Sequence, residues 1–211
     1  MKRKILTLLL ALAMVLTMLP TTVLAADGPM DTIPKYDVSI DVYNRTSDIS
    51  IKDSRSYYIY SSVPDKLRDT WAWDKKIFIK GDKAAPHVFI DGVNIEMSPS
   101  SKGPAIELNK KASAYIYFIG KNSSLQGADG RAAIQKNRSE GQLYVLARTG
   151  TTVTCKGGDK AAGIGGSYAT RNIFNGYYNG DMYGHGVNMH FGSRSNPDYW
   201  GGIIAAIGGN G

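Results

Sequence analysis

Hydrophobic and polar positions alternate in short runs along most of the chain, and residues typical of turns separate the runs. In the first run, four apolar residues alternate with polar ones, namely Tyr36, Val38, Ile40 and Val42. Such a period of two predicts β-strands. Only 64–73 is compatible with a short helix, because Pro64 suits the first position of one.

Small residues next to an isoleucine recur at a nearly constant interval. The isoleucines at positions 106, 134 and 164 each follow alanine or glycine, and Ile207 ends a similar pair. The interval from Ile106 to Ile134 also connects three further sets of positions: Gly92 with Gly120, Asn94 with Asn122, and Met97 with Leu125 and Val153. A repeated interval of this size indicates a structural unit that stacks on itself.

The repeat predicts an all-β fold, a right-handed parallel β-helix. Three coils follow one another at 88–108, 115–135 and 143–164, each with about three short strands. We expect interior columns of stacked side chains, one formed by Ile106, Ile134 and Ile164 and another by Met97, Leu125 and Val153. Asn94 and Asn122 would form an amide ladder in a turn that Gly92 and Gly120 make sharp. An antiparallel sandwich is the alternative, but it does not require the repeat.

The chain divides into three predicted regions. Residues 1–25 have a basic start, an apolar run and a small-residue end, as in a secretory signal peptide. The alternative, an uncleaved membrane anchor, is disfavoured because the apolar run is short for a membrane span. Residues 26–48 form an N-terminal cap, and 49–211 form the β-helix with aromatic loop excursions.

Charge and cysteine content exclude some functions. Cleavage after residue 25 lowers the formal net charge from +7 to +4, because Lys2, Arg3 and Lys4 are removed. Lysines and aspartates are interleaved elsewhere and form no basic stripe, so nucleic acid is not an expected partner. Cys155 is the only cysteine, which rules out an internal disulfide. Its alternation with Thr151 and Val153 predicts a buried thiol.

Two stretches, 166–187 and 192–202, depart from the repeat and are rich in aromatic residues. Long loops on a regular scaffold often carry specificity. Tyr and Trp rings suit the apolar faces of sugars and also protein interfaces. The predicted ligand-binding residues are therefore aromatic: Trp71, Trp73, Tyr177, Tyr178, Tyr183, Tyr199 and Trp200. The alternative is that these rings cover the last coil or fasten their own loops.

A search for catalytic chemistry finds no set of residues to assign. Asp129 and Asp159 lie at matching turns but have cationic neighbours, so calcium binding there is not expected. Asp181 and Asp198 are the one carboxylate pair worth testing for hydrolysis. His185 and His190 lack further ligands at metal-binding spacing. No cofactor, metal or catalytic residue is therefore predicted.

The segments 162–166 (Ala-Gly-Ile-Gly-Gly), 205–209 (Ala-Ala-Ile-Gly-Gly) and 88–95 resemble a known family. They are similar to the glycine-rich β-helix repeats of large surface proteins from Gram-positive gut bacteria, whose folds are often described as carbohydrate-binding or pectate-lyase-like. The resemblance covers roughly 49–211 and implies this fold and a cell-surface location. It implies no catalytic residues.

These observations together predict a non-catalytic, exported cell-surface module for adhesion or carbohydrate binding. Its partner would be a polysaccharide or a glycan of a host or cell-wall surface, with no transmembrane segment after signal cleavage. The alternatives are a polysaccharide lyase or glycoside hydrolase on the same scaffold, and a structural stalk. Because the chain stops inside a repeat, further repeats or domains are expected beyond Gly211.

Overall fold

The computed structural model describes residues 33–101, 103–109, 111–136, 140–166, 173–174, 177–178, 188–192 and 200–209. The first strands are β1 (Val38–Asp41), β2 (Ile49–Ile51), β3 (Ser56–Tyr60), β4 (Ile77–Lys80), β5 (His87–Asp91), β6 (Asn94–Glu96), β7 (Ile106–Asn109) and β8 (Ala114–Ile119). They are followed by β9 (Ser123–Gln126), β10 (Ile134–Lys136), β11 (Leu143–Ala147), β12 (Thr152–Lys156), β13 (Ile164–Gly165), β14 (Ile173–Phe174), β15 (Tyr177–Tyr178), β16 (Met189–Phe191) and β17 (Ile203–Ile207). Two short 3₁₀ helices cover Asp65–Leu67 and Pro99–Ser101.

Three parallel sheets form the walls of a β-solenoid of about four turns, which confirms the predicted parallel β-helix. Sheet A has the order β1-β3-β5-β8-β11-β16, sheet B the order β2-β4-β7-β10-β13, and sheet C the order β6-β9-β12-β17. Each complete coil runs from sheet A through sheet C to sheet B, as in β5, β6 and β7. Equivalent strands of successive coils therefore become hydrogen-bonded neighbours.

Sheet B contains the predicted isoleucine column. Ile106 pairs with Ile134, which pairs with Ile164, and the column extends in the other direction through Ile77 to Ile49. Ile134 is fully buried, and Ile164 packs against the same core from a partly buried position. Each fully buried isoleucine stabilises the fold by roughly 1.5–3 kcal/mol through removal of apolar surface from water.

The predicted column in sheet C is wrong by two positions. Leu125 pairs with Ile95 and Cys155, whereas Val153 pairs with Ser123. In this sheet, equivalent positions of successive coils are therefore separated by more residues than separate Met97 from Leu125 or Leu125 from Val153. A shift of two keeps every side chain on the same face of its strand, and these three side chains accordingly all remain buried.

The predicted equivalence of Ile164 and Ile207 is also wrong. Ile164 lies in sheet B, whereas Ile207 pairs with Lys156 in sheet C. The glycines after Ile207 therefore correspond to those after Lys156, at the corner where the chain leaves sheet C. A Cβ at Gly209 would overlap the carbonyl oxygen of Gly158, so close backbone stacking requires glycine at this corner.

The paired glycines and asparagines give one confirmed and one wrong prediction. Gly92 and Gly120 have φ values of +59° and +67°, which supply the sharp turn. The asparagines form no amide ladder. The Oδ1 atom of Asn94 accepts a hydrogen bond from the backbone N–H of Ser124, and that of Asn122 accepts one from Thr152, in the next coil.

Other predicted features have these positions. β1 pairs in parallel with β3 at the end of sheet A, and its Val38 and Ile40 pack against the core. Cys155 is fully buried as predicted, and burial raises the pKa of its thiol to about 12.

In the first aromatic excursion, β14 and β15 pair in an antiparallel hairpin. Residues 1–32, which include the predicted signal peptide, lie outside the described part.

Candidate functional site

One coil is built differently from the others, and this difference creates a groove on the outer face of sheet C. In this coil the chain leaves sheet A after Tyr60, and its one β-bridge to sheet C among the described residues is the isolated parallel bridge between Trp73 and Ile95. The segment before Trp73, residues 64–72, contains the 3₁₀ helix that follows Pro64. This segment forms a wall beside the regular strands β6, β9 and β12.

Hydrogen bonds fix the wall to the sheet. The Nδ2 group of Asn94 donates to the carbonyl oxygen of Arg68 at 2.9 Å. The guanidinium of Arg68 donates to the carbonyl oxygens of Gly92 at 3.2 Å and Val63 at 3.4 Å, and forms an ion pair with Asp65. Because these bonds hold the segment in place without a ligand, the groove is pre-organised for binding.

We call this surface the polar groove; it has a volume of about 710 Å³. Its lining residues are Asp65, Arg68, Asp69, Asn94, Gly120, Lys121, Asn122, Ser123, Ser124, Thr152 and Thr154. A smaller adjoining cavity of about 130 Å³, the side pocket, is lined by Asp69, Thr70, Trp71, Ala72, Asn94, Ile95, Glu96, Ser124 and Gln126. The two share Asp69, Asn94 and Ser124, so they form one continuous surface.

The floor presents a row of polar side chains to solvent. Asn94, Ser124 and Thr154 stand at one register position of three successive strands, and Gln126 stands beside Ser124. Within the described part of the chain, the hydroxyls of Ser124 and Thr154 and the amide of Gln126 have no hydrogen-bond partner. Neighbouring strands lie about 4.8 Å apart, so this row is about 10 Å long.

One carboxylate and two cations form a cluster at one end of the polar groove. Asp65 accepts from Lys121 at 2.9 Å and also pairs with Arg68 at 3.3 Å. The ammonium of Lys121 is the main cause of the lowered pKa of the Asp65 carboxyl. Both cations of the groove are therefore already engaged with a carboxylate.

A second surface, the aromatic face, lies on the outside of sheet A. Four rings at equivalent positions of β5, β8, β11 and β16 form one stack: His87, Tyr115, Tyr144 and His190. Their successive centroids are 4.7, 4.6 and 4.4 Å apart, and adjacent planes deviate from parallel by at most 13°. Beside the stack, the ring centroid of Tyr117 lies 4.9 Å from that of Phe89 and 5.1 Å from that of Trp200.

The orientation of the rings decides what the aromatic face offers. The rings of the stack are parallel and in van der Waals contact, so their faces cover each other. The stack therefore presents ring edges to solvent. A sugar binds an aromatic residue through an exposed ring face. Trp200, tilted by 41° from Tyr117, lines a groove of about 670 Å³ on this face. The stack therefore chiefly stabilises neighbouring coils.

Burial also changes the acid–base properties of this face. Desolvation lowers the pKa of His87, whose Nδ1 lies 3.1 Å from the Tyr117 hydroxyl oxygen. Desolvation raises the pKa of Tyr117 to about 12. At neutral pH the pair is therefore an uncharged imidazole next to a neutral phenol.

The structure separates the predicted ligand-binding residues. Trp71 lines the side pocket and Trp200 lines the groove of the aromatic face. Trp73 is in the core, with 2% of its surface exposed, and its indole N–H donates to the carbonyl oxygen of Arg45. A surface ligand cannot stack on it, which corrects the prediction of Trp73 as a ligand-binding residue. Tyr177 and Tyr178 are described only as strand β15, and Tyr183 and Tyr199 lie outside the described residues.

Sequence reasoning missed the groove floor and the ring stack. No sequence motif marks the floor residues Ser124, Gln126 and Thr154. Only the strand register shows that they lie side by side. The ring stack did leave a signal. His87, Tyr115 and Tyr144 follow each other at nearly equal intervals, at positions that alternate with the core.

The predicted acidic and metal-binding candidates are placed as follows. Asp129 and Asp159 lie at turns of successive coils, where the N–H of Gly130 donates to the carbonyl oxygen of Asp159. Among the described residues, no three His, Cys, Asp or Glu side chains come together as a metal site. Asp181, Asp198 and His185 lie outside the described residues, and His190 belongs to the ring stack. No helix in the described ranges is long and apolar enough to cross a membrane.

The fold and these surfaces define a parallel β-helix with an open polar groove on one wall and stacked aromatic rings on another. Comparison with protein-family models, with curated proteins and with solved structures finds no match for this chain.

Proposed function

We propose that the protein is an exported, cell-surface β-helix module that binds carbohydrate without cleaving it, and that the polar groove is its binding site. The observation that carries this proposal is the groove floor beside Trp71, where the hydroxyls of Ser124 and Thr154 have no hydrogen-bond partner among the described residues. Planar polar side chains and hydroxyls suit the hydroxyl groups of a sugar, and an indole suits its apolar face. The resemblance to repeats of Gram-positive surface proteins supports the exported location.

The dimensions of the polar groove favour an extended glycan. The floor crosses three strands and is about 10 Å long, which is comparable to a disaccharide. The fixed wall supports binding without rearrangement of the protein, because the bonds of Arg68 and Asn94 are already made. Such a site fits adhesion to a polysaccharide or to a surface glycan.

The experiment uses the two partly exposed tryptophans, Trp71 and Trp200, as a matched pair. Binding is first sought on a glycan array and then measured by calorimetry for the wild type and for Trp71→Ala and Trp200→Ala. The proposal predicts at least tenfold weaker binding for Trp71→Ala and little change for Trp200→Ala. Thr154→Val removes a hydroxyl at nearly constant volume and checks the floor without disturbing the packing of Trp71.

Two results would contradict this proposal. The first is that no glycan from plants, microbes or animal surfaces binds. The second is that Trp200→Ala, and not Trp71→Ala, abolishes binding, which would move the site to the aromatic face. Thermal unfolding of each variant shows whether a loss of binding follows from a loss of folding.

A second candidate function, hydrolysis, is favoured by the presence of Asp69 and Glu96 in one side pocket. Glycoside hydrolases use two carboxyl groups on either side of the scissile bond. Release of reducing ends from a bound glycan, lost in Glu96→Gln, would support hydrolysis. Binding without any such release supports the non-catalytic function.

A further inference from the structure

The side pocket combines features that the rest of the polar groove lacks. Its lining includes an aromatic residue, Trp71, two acidic residues, Asp69 and Glu96, and two neutral polar residues, Gln126 and Ser124. At about 130 Å³ it is too small for a whole sugar ring with its substituents but large enough for one small polar group.

The carboxylates in the side pocket are available to a ligand. Within the described residues, neither the carboxylate of Asp69 nor that of Glu96 has an ion-pair or hydrogen-bond partner. By contrast, the cations of the polar groove, Arg68 and Lys121, both contact Asp65. Carboxylates therefore outnumber cations three to two around the combined surface, and the excess negative charge lies in the side pocket.

One further cation stands on the same face of sheet C. Lys156 is in register with Gln126, which is in register with Glu96, so two strand spacings, about 10 Å, separate Lys156 from Glu96. At this distance, close to the Debye length at physiological ionic strength, solvent screens its effect on the pocket.

We infer that the side pocket binds a protonated amine of the glycan, so that the ligand is an amino sugar with a free ammonium group. An ammonium group donates hydrogen bonds to carboxylates and is attracted to the face of an indole. Gln126 and Ser124 supply further acceptors. A uronic acid would instead bring a carboxylate against Asp69 and Glu96 and be repelled. This inference rests on the proposed glycan-binding function and specifies its ligand.

The test compares two oligosaccharides that differ only at this nitrogen, which is a free ammonium group in one and an uncharged, bulkier acetamide in the other. Calorimetry at mildly acidic pH measures binding of a glucosamine hexamer and of the N-acetylglucosamine hexamer to the full chain. Exposed ion pairs and cation–π contacts are individually weak, so the glucosamine hexamer should bind about three- to tenfold more tightly. Added salt should reduce the difference, because it screens the charges that cause it.

Charge-neutral variants locate the effect. The double variant Asp69→Asn with Glu96→Gln should abolish the preference for the glucosamine hexamer over the N-acetylated one. Asp82→Asn, which removes one negative charge from the turn between β4 and β5, is the control and should keep the preference.

The outcomes separate this inference from the proposed function. Equal affinity for both hexamers, or a preference that survives in the double variant, would overturn the amine site and leave glycan binding intact. Tighter binding of an oligogalacturonate than of either hexamer would overturn it too. Failure of the chain to bind any glycan would overturn both proposals.

Discussion

The side-chain amide of Asn94 donates to the carbonyl oxygen of Arg68 at 2.9 Å and thereby joins the wall of the polar groove to its floor. The same side chain accepts from the N–H of Ser124 in the next coil at 3.0 Å. One residue thus connects two successive coils and the irregular segment 64–72. This position makes Asn94 a positioning residue for the groove.

Asn94→Ala should loosen the wall and weaken glycan binding. Asn122→Ala is the matched control, because Asn122 also accepts from the next coil, at 2.8 Å from the N of Thr152, but makes no bond to the wall. Each change should cost about 1 kcal/mol of stability. Only Asn94→Ala should accelerate amide hydrogen exchange in 65–71. Equal exchange of this segment in both variants would show that the wall does not depend on Asn94.

Replacement of a column residue should damage the fold far more than replacement on the outer face. Ile134 is fully buried between Ile106 and Ile164. Ile134→Asn loses apolar burial and places an unpaired amide in the core, so the free energy of unfolding should fall by roughly 3–5 kcal/mol. Ser124→Asn, at an exposed position of β9, should change it by less than about 0.5 kcal/mol. Chemical denaturation measures both, and similar losses would contradict the assignment of inner and outer faces.

The ring stack should stabilise the coils through ring contacts rather than through hydroxyl groups. Tyr115 stacks on both His87 and Tyr144, and its hydroxyl has no hydrogen-bond partner among the described residues. Tyr115→Ala should lower the free energy of unfolding by about 1–3 kcal/mol, given about 0.5–1.5 kcal/mol for each ring pair. Tyr115→Phe keeps both pairs and should unfold like the wild type. Equal destabilisation by the two changes would rule out stacking as the cause.

Two glycines distinguish backbone strain from steric contact. Gly120 and Gly150 have φ values of +67° and +83°, but a Cβ would clash with Asp91 Oδ1 at Gly120 and would have no heavy atom within 4 Å at Gly150. Gly150→Ala should cost about 1 kcal/mol from the left-handed backbone alone. Gly120→Ala should cost more, because Asp91 must also move away from its bond to the N–H of Lys121. Thermal unfolding that ranks the two in the opposite order would contradict this.

His87 predicts a pH dependence of stability. Desolvation lowers its folded-state pKa below the ordinary value of 6.5, so the unfolded chain binds the proton more readily. The contribution of neutral His87 to the free energy of unfolding is fully present above the unfolded-state pKa. It is lost as the pH falls towards the folded-state pKa. The melting temperature should therefore drop between about pH 7 and pH 5, before the carboxyl groups titrate. His87→Gln should flatten this drop, and an unchanged drop in that variant would contradict His87 as its cause.

The coil order and the sheet B column could be predicted because a small residue followed by isoleucine marks one corner of the three coils that contain Ile106, Ile134 and Ile164. The register of sheet C could not, since alternation is unchanged by a shift of two positions, and Leu125 fits beside Met97 as well as beside Ile95. Ile207 was misplaced for a related reason. Glycines are required wherever stacked backbones approach closely, so similar glycine-containing segments occur at two different corners of the coil.

The candidate site was only partly predictable. Trp71 stood out as an aromatic residue outside the regular strands, and it does line the side pocket. Trp73, two positions later, could not be distinguished from it, because only the bridge to Ile95 reveals that the chain turns inward there. Ser124 and Thr154 are ordinary strand residues until the stacking of coils places them side by side.

The most direct test of the account is hydrogen–deuterium exchange of the chain with and without the glycan that binds it most tightly on an array. Binding in the polar groove predicts slower exchange in 65–71 and in β6, β9 and β12, with β5, β8 and β11 unchanged. Slower exchange confined to β5, β8 and β11 would place the ligand on the aromatic face and contradict the assignment of the site. Failure of every glycan to alter exchange in the chain would contradict carbohydrate binding itself.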